Sequence, residues 1–131
     1  MKRLAIDVQR GAYSVVRLPA DAPVPAELLA PGPFLVSVTR TPHELSVICH
    51  AEREPEGGTV ERGWRLLSVR GPLGFTLTGV ISALASELAA AGVALFSLST
   101  FDTDHILVRA DELDRAVQAF RDSGHDVALP G

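Results

Sequence analysis

The stretch that decides the fold is residues 64–108, WRLLSVRGPLGFTLTGVISALASELAAAGVALFSLSTFDTDHILV. Its middle part predicts an amphipathic helix, because apolar residues recur there at the helical period; they are Leu77, Val80, Ile81, Leu84 and Leu88. The runs Arg65–Arg70 and Val93–Thr100 on either side of the helix are predicted strands. The acidic turn FDTD then leads to a third short strand, His105–Val108. The stretch therefore predicts the order strand, helix, strand, strand.

The residues that follow complete this pattern with one more helix and one more strand. A second helix is predicted from four apolar residues on one face, namely Leu113, Ala116, Val117 and Phe120. We expect Asp111 to be its N-cap and Gly124 to follow its last turn. His125–Leu129 is the predicted last strand. The second half of the chain is therefore expected to be βαββαβ.

The first half contains strands but little room for helices. Its predicted strands, in order, are Arg3–Val8, Tyr13–Leu18, Phe34–Arg40 and Leu45–Cys49. The first two are expected to form a hairpin at Gly11, and TPHE is the turn between the last two. Prolines at 19, 23, 25, 31 and 33 leave room for one short helix, Pro25–Ala30. The charged segment Ala51–Gly63 is predicted to connect the two halves.

The two halves resemble one another in sequence. A shift of 60 places FLVSVTRTPHELSVI on ALFSLSTFDTDHILV, with Ser37 on Ser97 and Glu44 on Asp104. A shift of 53 places Arg17 on Arg70. Chance similarity between strands is one explanation, and duplication of one domain is the other. Under duplication, we expect a degenerate first domain at residues 1–58, with a shortened first helix and no evident second one, and a complete domain at 59–131.

Composition excludes several classes of protein. Hydrophobic residues make up 47% of the 131 residues, which is enough for a packed core. A net charge of −4 and the lack of any Lys/Arg cluster argue against a nucleic-acid partner. The single cysteine cannot form an internal disulfide, which fits a cytoplasmic protein. The N-terminus is too polar for a signal peptide, and no apolar run is long enough to span a membrane.

The segments GPLGFTLTGVISALASELAAAGVALFSLSTFDTDHILV and RTPHELSVIC resemble the small bacterial tandem ACT proteins, a family that is similar to the cytosolic arginine sensors. The resemblance covers most of residues 10–129. It implies an α+β fold made of two ferredoxin-like βαββαβ domains. It also implies that a small ligand, typically an amino acid, binds where the two domains meet, with Ser46, Thr103 and Asp104 as the most direct candidates.

The residues themselves also favour such a site. The turn at Gly71–Gly74 leads into a predicted helix start near Phe75–Thr78, where free N–H groups and the helix dipole attract a carboxylate. Asp102 and Asp104, expected at the other end of the neighbouring strands, provide carboxylates for an α-amino group. The candidate ligand-binding residues are Glu44, Ser46, Gly71, Pro72, Leu73, Gly74, Phe75, Thr76, Thr78, Thr100, Phe101, Asp102, Thr103 and Asp104.

Each of these features also has a purely structural explanation. GPLG and FDTD can be tight turns, Thr76 an N-cap, and Glu44 a solvated turn residue. The four histidines have no metal-ligand spacing, so neither a metal nor a cofactor is expected. Cys49 is expected to be a small buried hydrophobe.

No catalytic motif is present, and Asp102 and Asp104, which would share a strand face, lack an evident nucleophile nearby. We therefore expect an amino-acid-binding regulatory protein rather than an enzyme, and expect it to form a homo-oligomer, with a homodimer as the expected form. The alternative is an ACT-fold module that binds no ligand and serves in protein–protein interaction or dimerisation. A ligand-dependent thermal shift distinguishes the two.

Overall fold

A computed structural model of the chain describes residues 3–73 and 79–131. The elements, in chain order, are β1 (Ala5–Val8), β2 (Tyr13–Leu18), β3 (Ser37–Arg40), β4 (Leu45–His50), β5 (Thr59–Val69), α1 (Val80–Ala90), β6 (Phe96–Ser99), β7 (Asp104–Arg109), α2 (Leu113–Asp122) and β8 (Asp126–Ala128). Three short 3₁₀ turns, Ala26–Leu29, Ala51–Arg53 and Ala110–Glu112, lie between them. The fold is mixed α+β, as the sequence predicted.

The chain forms two compact units. The C-terminal unit consists of Met1–Arg10 and Trp64–Gly131, and the N-terminal unit of Gly11–Gly63. The units meet in the chain at two places, after Arg10 and after Gly63, whereas the sequence predicted one boundary after residue 58. Residues 3–10 belong to the C-terminal unit because β1 forms hydrogen-bonded ladders with β5 and β8.

The sheet of the C-terminal unit has the strand order β6-β7-β5-β1-β8. Neighbouring strands are antiparallel except β1 and β8, which are parallel. The elements from β5 to β8 follow the predicted βαββαβ order. However, β1 lies between the first and last strands of that motif. Its alternating burial, with Ile6 and Val8 buried, requires a sheet position that is covered on one face.

Both helices of this unit cover one face of its sheet. The core contains Leu84 and Leu88 from α1 and Val117 and Phe120 from α2. From the sheet it contains Ile6, Val8, Leu67, Val69, Ile106 and Val108. The helical periodicity therefore predicted the buried faces correctly within the described residues.

Glycine ends both helices through the same hydrogen-bond pattern. After α2, Gly124 has a φ of +94°, its N–H donates to Arg121, and the His125 N–H donates to Phe120. After α1, Gly92 has a φ of +75°, and the Val93 N–H donates to Leu88. These are Schellman motifs, which satisfy the last free carbonyls of a helix. The expected role of Gly124 is thus confirmed.

Three details of the predicted elements are wrong. Asp111 is not the N-cap of α2, because it lies in the 3₁₀ turn and Glu112 precedes the helix. The strand predicted at Val93–Thr100 is only β6, since Val93 completes the helix end. The connector predicted at Ala51–Gly63 contains the start of β5, which begins at Thr59.

The N-terminal unit has strand order β3-β4-β2, and β2 also pairs with β5. The predicted hairpin of β1 with β2 is wrong, because β2 pairs with β4 from Tyr13 opposite His50 to Leu18 opposite Leu45. The core of this unit contains Val16, Leu18, Leu28, Leu45, Val47 and Cys49. The predicted short helix is a 3₁₀ turn, Ala26–Leu29, that buries Leu28.

The strands of the two units correspond at offsets other than those predicted. β6 begins 59 residues after β3, and β7 begins 59 residues after β4. The ladder of β2 with β4 begins at Tyr13, and the ladder of β5 with β7 begins at Trp64. The offset between β2 and β5 is therefore 51 residues and not the predicted 53. Glu44 therefore corresponds to Thr103 and not to Asp104. A shift of one residue matters because it moves every side chain of a strand to the opposite face.

Candidate functional site

Two of the predicted site segments meet at one end of the C-terminal unit's sheet. β5 and β7 are antiparallel with Ser68 opposite His105, so the chain leaving β5 lies beside the turn that enters β7. The Leu73 N–H donates a 2.6 Å hydrogen bond to the carbonyl of Asp102. The Thr103 hydroxyl donates a 2.6 Å bond to the carbonyl of Val69. The expectation that Asp102 and Asp104 lie at the other end from the glycine turn is wrong.

Gly71 is required by the close approach of these two segments. A Cβ on this residue would lie 2.9 Å from the Asp102 carbonyl oxygen and 3.1 Å from Thr103 Cβ. The peptide bond from Gly71 to Pro72 is cis. The glycine therefore permits a close contact between two segments of the same chain. Its predicted role in approaching a ligand stays a prediction.

The acidic turn is organised by its first threonine. The Thr100 N–H donates to the carbonyl of Thr103 at 2.8 Å, and the Thr100 hydroxyl accepts from the Thr103 N–H at 3.4 Å. In the N-terminal unit, Thr41 makes the same two bonds with Glu44, at 2.9 and 3.1 Å. In both turns, the first threonine thus bonds to the fourth residue through its backbone N–H and its hydroxyl. These bonds support the structural explanation, in which FDTD and Glu44 belong to ordinary turns.

The two aspartates of the turn have different environments. Asp102 lies in the exposed turn, whereas Asp104 is partly buried at the start of β7. Asp104 accepts a 2.5 Å hydrogen bond from the Ser99 hydroxyl. It alternates in phase with Ile106, which packs under the helices, so its carboxylate lies on the helix side of the sheet. The expectation that both aspartates share a strand face is therefore wrong, and Asp104 alone faces the side on which α1 begins.

Other predicted residues are less constrained. Phe101 has 79% of its surface exposed. Glu44 and Ser46 both lie in the N-terminal unit. Glu44 is in the turn before β4, and Ser46 is in β4, where it pairs with Arg17 of β2 and Thr39 of β3. The role of these two residues in a site stays a prediction. Gly74, Phe75, Thr76 and Thr78 lie outside the described residues, and α1 begins at Val80 after Gly79.

No sequence pattern predicted the polar pair beside this site. Ser68 Oγ and His105 Nδ1 lie 2.8 Å apart on neighbouring strands, on the face away from the helices. Burial lowers the pKa of His105, and the nearby charge of Asp104 partly opposes this effect. The two side chains are neighbours because Ser68 lies opposite His105 in the β5–β7 ladder. The sequence alone does not predict that register.

Metal ligands and the single thiol were the remaining chemical groups to place in the described residues. Across 3–73 and 79–131, no group of three or more His, Cys, Asp or Glu side chains is placed to hold a metal ion. Burial raises the pKa of the Cys49 thiol to about 11, which makes it a poor nucleophile at neutral pH. No helix among these residues is long and apolar enough to cross a membrane.

Comparison with known proteins identifies relatives of both units. The ACT domain profile matches residues 59–122, and the profile of an N-terminal domain matches residues 11–57. The human cytosolic arginine sensor for mTORC1 subunit 1 is 36% identical over 59 residues. That match covers 44% of this chain and only 18% of the sensor.

Solved structures extend the similarity to the whole chain. A crystal structure of an Agrobacterium tumefaciens protein is 34% identical, with a TM-score of 0.89, and the match covers 100% of this chain and 96% of that one. Aspartate kinase from Synechocystis has the same fold at 13% identity and a TM-score of 0.69. There the match covers 97% of this chain and 28% of the kinase.

Proposed function

Since this chain belongs to the family of ACT-domain proteins, we propose that it is a regulatory protein that binds an amino acid. The observation that carries the proposal is the junction of the two loops in the C-terminal unit. Two hydrogen bonds of 2.6 Å, from Leu73 and Thr103, hold the segment after β5 against the acidic turn. A preorganised loop junction lowers the entropy cost of binding a small ligand.

The chemistry of this junction suits a ligand that carries an ammonium group. Asp104 is partly buried, and its carboxylate retains acceptor capacity beyond the single bond from Ser99. The α-carboxylate of the ligand is expected to bind backbone N–H groups of the loop that leads to α1. Arginine is the first amino acid to test, because one relative is named as an arginine sensor. The predicted location between two domains, and the predicted cytoplasmic location, stay predictions.

A thermal-shift screen with the twenty amino acids tests the proposal. At a ligand concentration of about 100 times Kd, mass action stabilises the folded state by about 2.7 kcal/mol. We expect Asp104→Asn to remove this stabilisation, because the amide keeps a partner for Ser99 but loses the charge. Asp111→Asn, an exposed residue of the same unit, is the matched control. An equal shift in both variants, or no shift with any amino acid, would contradict the proposal.

A second candidate function, the interaction module, is favoured by the exposed edge of β6. This strand pairs only with β7 in the described sheet, and Phe96 is 44% exposed. Its sequence, FSLS, has none of the charged residues or prolines that usually protect a sheet edge. We propose that the protein self-associates as a homodimer through this edge. Ser97→Lys and Phe96→Lys are expected to shift the molecular mass measured by light scattering to that of one chain, and an unchanged mass would exclude β6 as the interface.

A further inference from the structure

A cavity of about 500 Å³ lies within the N-terminal unit. One wall is the proline-rich loop after β2, and the other is the segment that follows the 3₁₀ turn Ala51–Arg53. In the C-terminal unit the chain continues from the corresponding 3₁₀ turn, Ala110–Glu112, into α2. In the N-terminal unit it continues to β5 without a helix. The cavity therefore lies where this unit has no counterpart of α2.

Part of the cavity wall is apolar. It includes Leu18, Ala22 and the rings of Pro23, Pro25 and Pro55. Arg40 fixes the proline loop, because its guanidinium donates hydrogen bonds to the carbonyls of Ala20 and Ala22. A volume of this size is typical of sites for small molecules.

Three carboxylates line the same cavity, and no lysine or arginine lines it. Glu54 is already paired: Arg62 donates to it at 2.9 to 3.2 Å, and these bonds, with one from Ser14, hold the pKa of that carboxyl below its usual range. Glu27 and Glu56 are exposed, and among the described residues their carboxylates form no ion pair and accept no hydrogen bond. The guanidinium of Arg53 bonds to the backbone carbonyl of Glu27 and leaves the carboxylate available. The cavity thus combines a partly apolar wall with two exposed carboxylates that have no ion pair among the described residues.

We propose that this cavity binds a small organic dication with an alkyl chain, of the diamine class. The methylene groups pack against Leu18 and the prolines, and the two ammonium groups interact with Glu27 and Glu56. Charge complementarity favours this class over anions and over neutral ligands. An apolar stem is needed as well, because exposed charge pairs alone contribute little. This site is separate from the amino-acid site proposed above.

Isothermal titration of the full chain with 1,5-diaminopentane tests the proposal. We expect saturable binding, and a loss of about tenfold or more in affinity in the double variant Glu27→Gln, Glu56→Gln, which corresponds to about 1.4 kcal/mol. Glu52→Gln, an exposed glutamate in the same unit that does not line the cavity, is the matched control and is expected to bind as the unmodified chain does. 1,2-Diaminoethane has the same charges but a shorter stem and is expected to bind more weakly.

A second variant tests the cavity itself. Ala22→Lys places a cation inside the site, and we expect it to abolish diamine binding while the unfolding curve shows a folded protein. Absence of saturable binding, or equal binding by the double variant, would overturn the proposal. Asp104→Asn is expected to leave diamine binding unchanged, so failure of the amino-acid site and failure of this one give separate results.

Discussion

The hydroxyl of Thr103 donates a 2.6 Å hydrogen bond to the carbonyl of Val69, which ties the turn before β7 to the last residue of β5. The two residues are 34 positions apart in sequence. Thr103 corresponds to Glu44 in the N-terminal unit, which has no hydroxyl for such a bond. The connection is therefore specific to the unit that carries Asp104, and it is the natural target for the first test.

We expect Thr103→Val to lower the free energy of unfolding by about 1 kcal/mol, the usual contribution of one such hydrogen bond. The same variant is expected to weaken any amino-acid binding, because the turn loses its fixed position. Urea denaturation measures the first effect and titration the second. Thr103→Ser keeps the hydroxyl and is expected to retain most of both properties. Equal losses in the two variants would contradict the prediction, because only Thr103→Val removes the hydroxyl.

Gly71→Ala is expected to destabilise the fold by about 1–3 kcal/mol, the typical cost of forcing extra atoms into a packed site. The added Cβ would lie 2.9 Å from a backbone oxygen, which cannot move as a flexible side chain would. Gly32→Ala is the control, because a Cβ there meets nothing within 4 Å. Thermal unfolding of both variants checks the prediction, and similar midpoints would contradict it.

His125, between α2 and β8, is buried and contacts both α1 and the residue before β1. Its Nδ1 accepts from the Leu4 N–H at 3.1 Å, and its Nε2 lies 2.9 Å from the carboxylate of Glu87 in α1. Because Nδ1 accepts, the proton of the neutral ring is on Nε2 and donates to Glu87. We expect His125→Leu to cost about 1–3 kcal/mol, since it leaves the buried N–H of Leu4 without a partner.

Glu87→Gln retains an oxygen acceptor for His125 and is expected to cost less than His125→Leu. Hydrogen exchange supplies a local readout, because the Leu4 amide is expected to exchange faster in His125→Leu only. Equal protection of that amide in both variants would mean that the ring does not hold the start of β1.

The stability of the C-terminal unit is expected to depend on pH through His105. Burial places the pKa of the folded state below the unfolded value of about 6.5, so the unfolded chain binds more protons between these two values. The contribution of His105 is therefore fully present above about pH 6.5 and is lost as the pH falls through the folded pKa.

Urea denaturation between about pH 5 and 8 measures this dependence. We expect His105→Gln to have a flatter profile than the unmodified chain, because it keeps a polar partner for Ser68 but does not titrate. His43→Gln, at an exposed position in the N-terminal unit, is the control. Superimposable profiles for His105→Gln and the unmodified chain would refute the assignment.

The sequence by itself determined the elements whose local signals are strong. The apolar period of α1 and α2, the glycine after α2 and the strands β2 and β4 were all predicted correctly, because each depends on neighbouring residues or on one residue's backbone freedom. The βαββαβ order followed from these elements.

Only the tertiary structure decided which strands pair and at what register. β1 lies between β5 and β8 and not beside β2, a long-range choice that no local pattern encodes. Because the strands of the two units correspond at an offset of 59 and not 60, Glu44 matches Thr103 and not Asp104. The antiparallel register of β5 and β7 places Gly71 beside Thr103, and Ser68 beside His105. These relationships depend on contacts between residues far apart in the chain, and a strand pattern of period two fits several registers equally well.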